Sequence, residues 1–590
     1  MACLFISLKH AAWVAFERPI EQLMLHYGSQ SSLLTRQMLG AGWCPSDLAV
    51  IRKRNDVIGQ YYLSTYRPPH PVSASTGHLQ CLDEICLAYN IDDTSYESVH
   101  TTVTCRCMEL SPDESELLGI LQRAELPVIT LQDNRVHVVE AHDSAAYSAI
   151  THVWSHGLGN PKRNSLPLCQ LKKIQSTVNS LYANTQVLPF WIDTLCIPVA
   201  RKHEELRSVA ISKINQTFSA ADKVLVLDRD LELASVASPL VERFAKISMS
   251  QWHRRLWTLV EGNLAIDLYF KFSDGVFKMN DLLTMSFQHD DIADELALSR
   301  RKFKDNLMGM INAGKSREDL TWVTTAMEYR TTKHLTDESI RIATIMGIES
   351  SSILKESTAI PRMQRLYHNI HQLPSWILFS PGRRIDLDRY RWAPRSFLPQ
   401  LRKDGKRTRP MPQHRRTVKV DECGVLHFKA PGYILSPSVF NLARRLFKTV
   451  YVTIRIFRPC PDSTTVKERR AKASAHSLVD DDKSPDVEED ETLVIIVDEP
   501  IPEFGIALQT GPLVALVDKP VGTPKAVGET EGSSDCIKGE GRWRNVNEFI
   551  ACSFICRVEI ASNLTGMSEI DNLEKLNWAT ELQNVEWCIE

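Results

Sequence analysis

FWIDTLCIP, residues 190–198, decides how this chain is read. Aromatic and β-branched residues run into a lone aspartate, Asp193, then a cysteine, Cys196, then Pro198. The run has the composition of a buried strand that stops abruptly. An unpaired buried carboxylate is costly, so Asp193 must be paired, exposed at a strand tip, or functional.

The flanks carry the same alternation of element types. YSAITHVW (147–154) reads as a buried strand running into the glycine-bearing loop SHGLGNP (155–161). In 168–184, Leu171, Ile174, Val178 and Leu181 recur at helical spacing, and in 204–221 Leu206, Val209, Ala210, Ile214, Phe218 and Ala221 share one helical face. DKVLVLD (222–228) is almost wholly apolar, as expected of a strand covered on both faces. Strand, helix, strand, helix, strand across 147–228 predicts an α/β fold, a parallel sheet with right-handed crossovers. Its ligand edge is the carboxyl end of the strands, where the loops bring Ser155, His156, Asp193 and Cys196.

The chain has 590 residues and a formal net charge of −3, which argues for several domains and against a whole-molecule field for nucleic acid or membrane. No apolar run reaches the roughly 20 residues of a membrane span. The first twenty residues have no basic leader or cleavage site, so the expected location is cytoplasmic. There the fourteen cysteines are expected mostly as thiols or metal ligands rather than disulfides. Residues 78–107 offer His78, Cys81, Cys86, His100, Cys105 and Cys107, with Cys44 upstream. Thiolates and imidazoles at short spacing suit zinc in a structural role. The spacing is no standard finger, and six candidates for four places leave the ligand set open; ordinary buried thiols are the competing reading. The expectation is at least four of the six converging on one point.

The organisation read from the sequence is a Cys/His-rich region (1–110), a helix and strand linker (111–146) whose helix opens on a Ser111–Glu114 capping pattern, the α/β core (147–267), a mainly helical extension (268–370), a loop and β-rich region (371–459), a disordered linker (460–491) and a β-rich end (492–590) with a flexible segment at 519–541. The basic run 401–419 lacks interleaved aromatics and reads as a solvated loop, so no nucleic-acid partner is expected.

Four blocks, YSAITHVWSHGLGN, FWIDTLCIP, INQTFSAADKVLVLD and RRLWTLVEG, occur in that order between 147 and 262. Together they resemble the fungal heterokaryon-incompatibility (HET) domain. YRTTKHLTDESIRIATIMGI and YRWAPRSF resemble segments found downstream in such proteins. The sequence departs where Thr151–His152 replaces the commoner Ser–Tyr and where Pro198 stands for Asn–Gln. The resemblance implies an intracellular allorecognition regulator that triggers cell death, working through protein partners and self-association, with a sheet remotely related to TIR domains. Some TIR domains cleave NAD, which makes NAD a candidate substrate by fold-level analogy.

Trp257 and Glu261 are four apart on a predicted helix and so share a face, a spacing that resembles that around the catalytic glutamate of NAD-cleaving TIR domains. A carboxylate there would stabilise oxocarbenium character as the nicotinamide–ribose bond breaks. The bland alternatives are that Glu261, and equally Asp193, pairs with Arg254 or Arg255, or that Asp193 caps a turn. Cys196 with His152 or His156 would make a thiol nucleophile and base, although a small buried thiol is the commoner fate.

Overall fold

The computed structural model of the chain describes residues 32–55, 57–66, 78, 81, 86, 88–143, 146–182, 187–279, 281, 320–379, 383–387, 389–398, 417–435, 492–496, 513–517, 549–557 and 579–589. The expected disordered linker at 460–491 and flexible segment at 519–541 lie outside them. The chain divides into two compact units, Met1–Lys355 and Glu356–Glu590.

The first unit is built on a seven-stranded mixed sheet. A two-residue ladder, β1 (Glu109–Leu110) with β5 (Leu166–Pro167), stands apart from it. The sheet strands are β2 (Pro127–Gln132), β3 (Arg135–Glu140), β4 (Ser148–His152), β6 (Phe190–Trp191), β7 (Lys223–Leu227), β8 (Leu268–Lys271) and β9 (Val276–Lys278), in spatial order β3-β2-β6-β4-β7-β8-β9. The centre is parallel: β4 pairs with β6 and β7, and β7 with β8. Each edge is an antiparallel hairpin, β2–β3 on one side and β8–β9 on the other. Asp133 and Asn134 turn the first hairpin with positive φ, a conformation these short polar side chains tolerate. The three strands read from the sequence are thus neighbours, but the sheet reaches beyond 147–267 at both ends, because hairpins can extend a parallel sheet without a crossover.

Helices flank the sheet. In chain order they are α1 (Ser32–Gly40), α2 (Pro45–Arg54), α3 (Val57–Ser64), α4 (Glu114–Gln122), α5 (Leu168–Ser180), α6 (Asp193–Cys196), α7 (Glu204–Ser212), α8 (Ile214–Ser219), α9 (Arg229–Glu232), α10 (Leu240–Met249), α11 (Gln251–Arg254), α12 (Leu256–Leu264), α13 (Leu320–Met327) and α14 (Asp337–Met346). β4 is buried at every residue, and Val224, Leu225 and Val226 of β7 have no exposed surface, which places the core at the sheet centre. Helix α4 is capped by Asp113, whose carboxylate accepts from the Ser115 and Glu116 N–H groups; a carboxylate cap displaces the Ser111–Glu114 box expected from the sequence.

The opening stretch is extended only at Phe190–Trp191 and then coils into α6. The Asp193 side chain accepts from the Thr194 N–H at 2.6 Å, and the Cys196 N–H reaches the Ile192 carbonyl at 2.9 Å. An aspartate that bonds the next backbone N–H favours a turn over a ladder.

In the second unit, β10 (Gln372–Pro374), β11 (Thr417–Val420), β12 (Leu426–Leu435), β13 (Thr492–Ile496), β14 (Leu513–Val517), β15 (Phe549–Arg557) and β16 (Ala579–Ile589) form another sheet. β12 pairs with both β13 and β16, so strands β12 to β16 close into a ring that joins a strand from the region read as 371–459 to four from the end read as 492–590.

Candidate functional site

The carboxyl ends of β4 and β6 gather the first set of functional groups. Asp193 accepts from the Trp154 indole N–H at 2.7 Å, from the Thr194 N–H, and lies 2.8 Å from His152 Nε2. Burial alone would raise its carboxyl, but the His152 ring and the N–H donors outweigh it and hold the group below the ordinary aspartate value. This answers how a strand-end carboxylate survives: His152, the Trp154 indole, and the Thr194 N–H and hydroxyl meet it while its side chain stays 29% exposed. Gly159 makes room for that network, because a Cβ there would lie 2.8 Å from the Trp154 ring.

Glu261 reaches the same edge from α12. Its carboxylate accepts from the Thr151 hydroxyl, which in turn accepts from the Trp252 indole N–H at 2.7 Å. Burial pushes the Glu261 carboxyl up to about 7, against the Thr151 hydroxyl, which favours the charged form; the Asp193 charge adds to the rise, and His152 and Arg341 oppose it. Two carboxyl groups at one sheet edge therefore have opposite tendencies. Asp193 stays ionised and Glu261 exchanges its proton near neutrality, the pattern that separates acid and base roles. His152, nearly buried, is oriented by Asp193 and leaves its Nδ1 without a hydrogen-bond partner.

Neither carboxylate pairs with the arginines weighed in the sequence. Arg254 is buried against Asp47 of α2 at 2.7 Å, and Arg255 donates to Asn90 at 3.1 Å. Trp257 points its indole N–H at Asp337 of α14, 2.7 Å away, and the Arg341 guanidinium sits 3.1 Å from its ring centroid. Trp257 thus packs against α14. Cys196 has no exposed surface, and burial pushes its thiol up to about 12, which corrects the reading of it as a nucleophile or substrate contact. Ser155 buries its hydroxyl without a hydrogen-bond partner. His156 turns from Asp193 towards α9: its Nδ1 accepts from the Arg229 N–H at 3.1 Å and lies 4.0 Å from Asp228. His156, Asp228 and Asp230 bring ligand atoms within 4.8 Å of one another.

The Cys/His residues converge, but on two points instead of one. Cys44, His78, Cys81 and Cys86 form a buried quartet; His100, Cys105, Cys107 and Cys169 form a second, half-exposed one. Within each, the four ligand atoms lie within 4.8 Å of one another, an arrangement that can hold a metal ion. In the inner quartet, Cys81 Sγ is 3.5 Å from His78 Nδ1 and 3.6 Å from Cys86 Sγ, and Cys86 Sγ is 3.8 Å from His78 Nδ1. In the outer one, His100 Nδ1 is 3.4 Å from Cys107 Sγ and 3.5 Å from Cys169 Sγ. Tetrahedral zinc with bonds near 2.3 Å to sulfur and 2.0 Å to nitrogen needs ligand separations of about 3.5–3.8 Å, so the donor sets fit.

Sequence reasoning missed Thr151, Cys169 and the fourth-ligand role of Cys44. Cys169 stands in a helix 62 positions beyond Cys107, where local spacing carries no signal. In the sequence Thr151 stands out only as a departure from a pattern. No helix among the described residues is long and apolar enough to cross a membrane. No protein-family model, no curated protein and no solved structure matches this chain.

Proposed function

We propose that this chain is a HET-domain signalling protein of a fungus, acting in the cytoplasm in allorecognition and incompatibility-associated cell death through protein partners and self-association, and that its α/β unit cleaves NAD. One observation supports the enzymatic reading above all: Glu261 and Asp193 meet at the carboxyl edge of parallel strands with opposite protonation tendencies. In this reading ionised Glu261 faces the ribose and stabilises positive charge at C1 as the glycosidic bond to nicotinamide lengthens. Asp193 fixes His152 and Trp154 and contributes a constant negative charge. The metal held by the N-terminal Cys/His residues is zinc, in a structural role.

The capture of Trp257 by Asp337 and Arg341 favours a second reading, a non-enzymatic module whose N-terminal region recognises partners. Incubating the purified full chain with NAD and following nicotinamide separates the two. The enzymatic reading expects release that Glu261→Gln reduces at least a hundredfold with no loss of folding. Absence of release from the wild-type chain, monomeric and assembled, would leave the assembly reading in its place.

A further inference from the structure

We infer that the chain binds two zinc ions, and that the second, held by His100, Cys105, Cys107 and Cys169, clips a strap of chain across the loop that positions Trp154. This rests on zinc being the metal of the quartets and adds a second, independent ion with its own task.

The two quartets share no residue. Each supplies three sulfurs and one imidazole, a complete tetrahedral set, so neither needs the other. The outer set also has the surroundings of a ligand site: the Thr101 N–H points at Cys169 Sγ and the Cys169 N–H at Cys107 Sγ, both at 3.3 Å. Backbone N–H donors stabilise thiolates and orient them on a metal.

The segment carrying three of these ligands is pinned at its two ends, by hydrogen bonds at Val99 and by the Met108 carbonyl and the β1–β5 ladder, but the span between has little to hold its place. From 99 to 109, every residue is exposed except His100, Cys105 and Cys107, and Val103 is 90% exposed. A stretch that buries no apolar side chain cannot offset the entropy of ordering its backbone. A metal that joins it to Cys169, in the first turn of α5, supplies the missing restraint.

What the strap covers gives the clip a role. Just before the ligands, the Tyr96 hydroxyl donates to the Trp154 carbonyl, Ser98 Oγ donates to the Gly159 carbonyl at 2.9 Å, and the Val99 N–H donates to the Gly157 carbonyl at 2.9 Å. Gln170, one residue beyond Cys169, donates to the Val99 carbonyl at 2.7 Å. The loop 154–159 is therefore held from above by the strap, while its Trp154 indole donates to Asp193. The outer ion is a positioning element, reaching the carboxylate edge through the strap and Trp154.

The test counts zinc in the full chain purified under reducing conditions, by elemental analysis, for the wild type, Cys169→Ser and Cys44→Ser. Limited proteolysis within 100–107 is followed with and without a zinc chelator. The expected result is two zinc per chain in the wild type and one in Cys169→Ser. Cleavage of the strap should be at least tenfold faster in Cys169→Ser and in chelated wild type, and slow again when zinc is restored to the wild type. Cys105→Ser, on the exposed strap, repeats the count if Cys169→Ser does not fold. One zinc per chain, lost in Cys44→Ser and kept in both outer variants, would overturn the second site while leaving structural zinc in place. No zinc in any of them would overturn both.

Discussion

The sheet edge and the N-terminal strap are neighbours in space, yet different forces hold them. The edge is made by regular elements: strands with fully buried side chains deliver Thr151, His152 and Asp193 to one line, and hydrogen bonds satisfy them there. The strap has almost no buried surface: backbone hydrogen bonds pin its two ends, at Val99 and at Met108–Leu110, and the candidate ligand atoms lie between them. Packing tolerates the loss of one contact by redistribution. A restraint made of four ligands fails as a unit. The two regions should accordingly break in different ways.

The largest effect is expected at Asp193, where the two kinds of order meet. Asp193→Ala removes the acceptor shared by Trp154, His152 and the Thr194 N–H, and leaves buried donors unpaired. A loss of about 3 kcal/mol in denaturant unfolding should follow, with zinc content unchanged. A loss under about 1 kcal/mol would mean that water replaces the carboxylate freely, and that the edge is more open than its hydrogen bonds imply.

Gly157 tests the strap's seat. Its φ is +108°, and a Cβ there would lie 2.6 Å from Val99 Cβ. Gly157→Ala should cost about 2 kcal/mol and, unlike Asp193→Ala, should speed proteolysis of 100–107. Unchanged cleavage would show that the seat at Gly157 does not hold the strap.

The same contrast explains what could be read in advance. Period and composition are local, so the neighbouring strands at 148–152, 190–191 and 223–227 were legible within longer apolar runs. The extent of the sheet was not, because whether a hairpin joins a sheet edge depends on partners far along the chain. The six N-terminal Cys and His residues were legible as candidate ligands by chemistry. Their partition was not, because each set is completed from elsewhere: Cys44 lies 34 positions before His78, and Cys169 opens a helix of the core. The partner of Glu261 was misjudged for a related reason. Arg254 and Arg255 are near in sequence, but they serve Asp47 and Asn90, and the carboxylate turns to Thr151 on a strand.

Cys196 should matter less than either. Fully buried in α6 with its thiol protonated, it fills space. Cys196→Ala should cost about 1–2 kcal/mol by opening a small void, with zinc content and any NAD turnover as in the wild type. Loss of turnover in a variant that folds normally would restore the thiol to the chemistry.

The smallest effect on stability, and the one whose sign is most informative, belongs to Glu261. Its carboxyl titrates near 7 in the folded chain, raised first by burial and further by Asp193. The unfolded value is near 4.3. A group raised on folding binds more protons in the native state, so its contribution is fully present below the unfolded value. It is lost as pH rises towards 7 and is constant above it. Glutamine cannot ionise and can still accept from Thr151. Glu261→Gln should therefore match the wild type in stability near pH 4.5 and exceed it by about 1 kcal/mol at pH 8, the full shift being discounted for the partial exposure of the site. If Glu261 acts as an ionised carboxylate, turnover in the wild type should rise with pH through the same interval, so stability and activity move in opposite directions on one titration. A buried ion pair makes the reverse forecast: Glu261→Gln would cost about 3–5 kcal/mol at pH 8 and less in acid. Unfolding curves for the two proteins at pH 5 and pH 8, beside a nicotinamide assay at both, decide whether the sheet edge stores a carboxylate for chemistry or for structure.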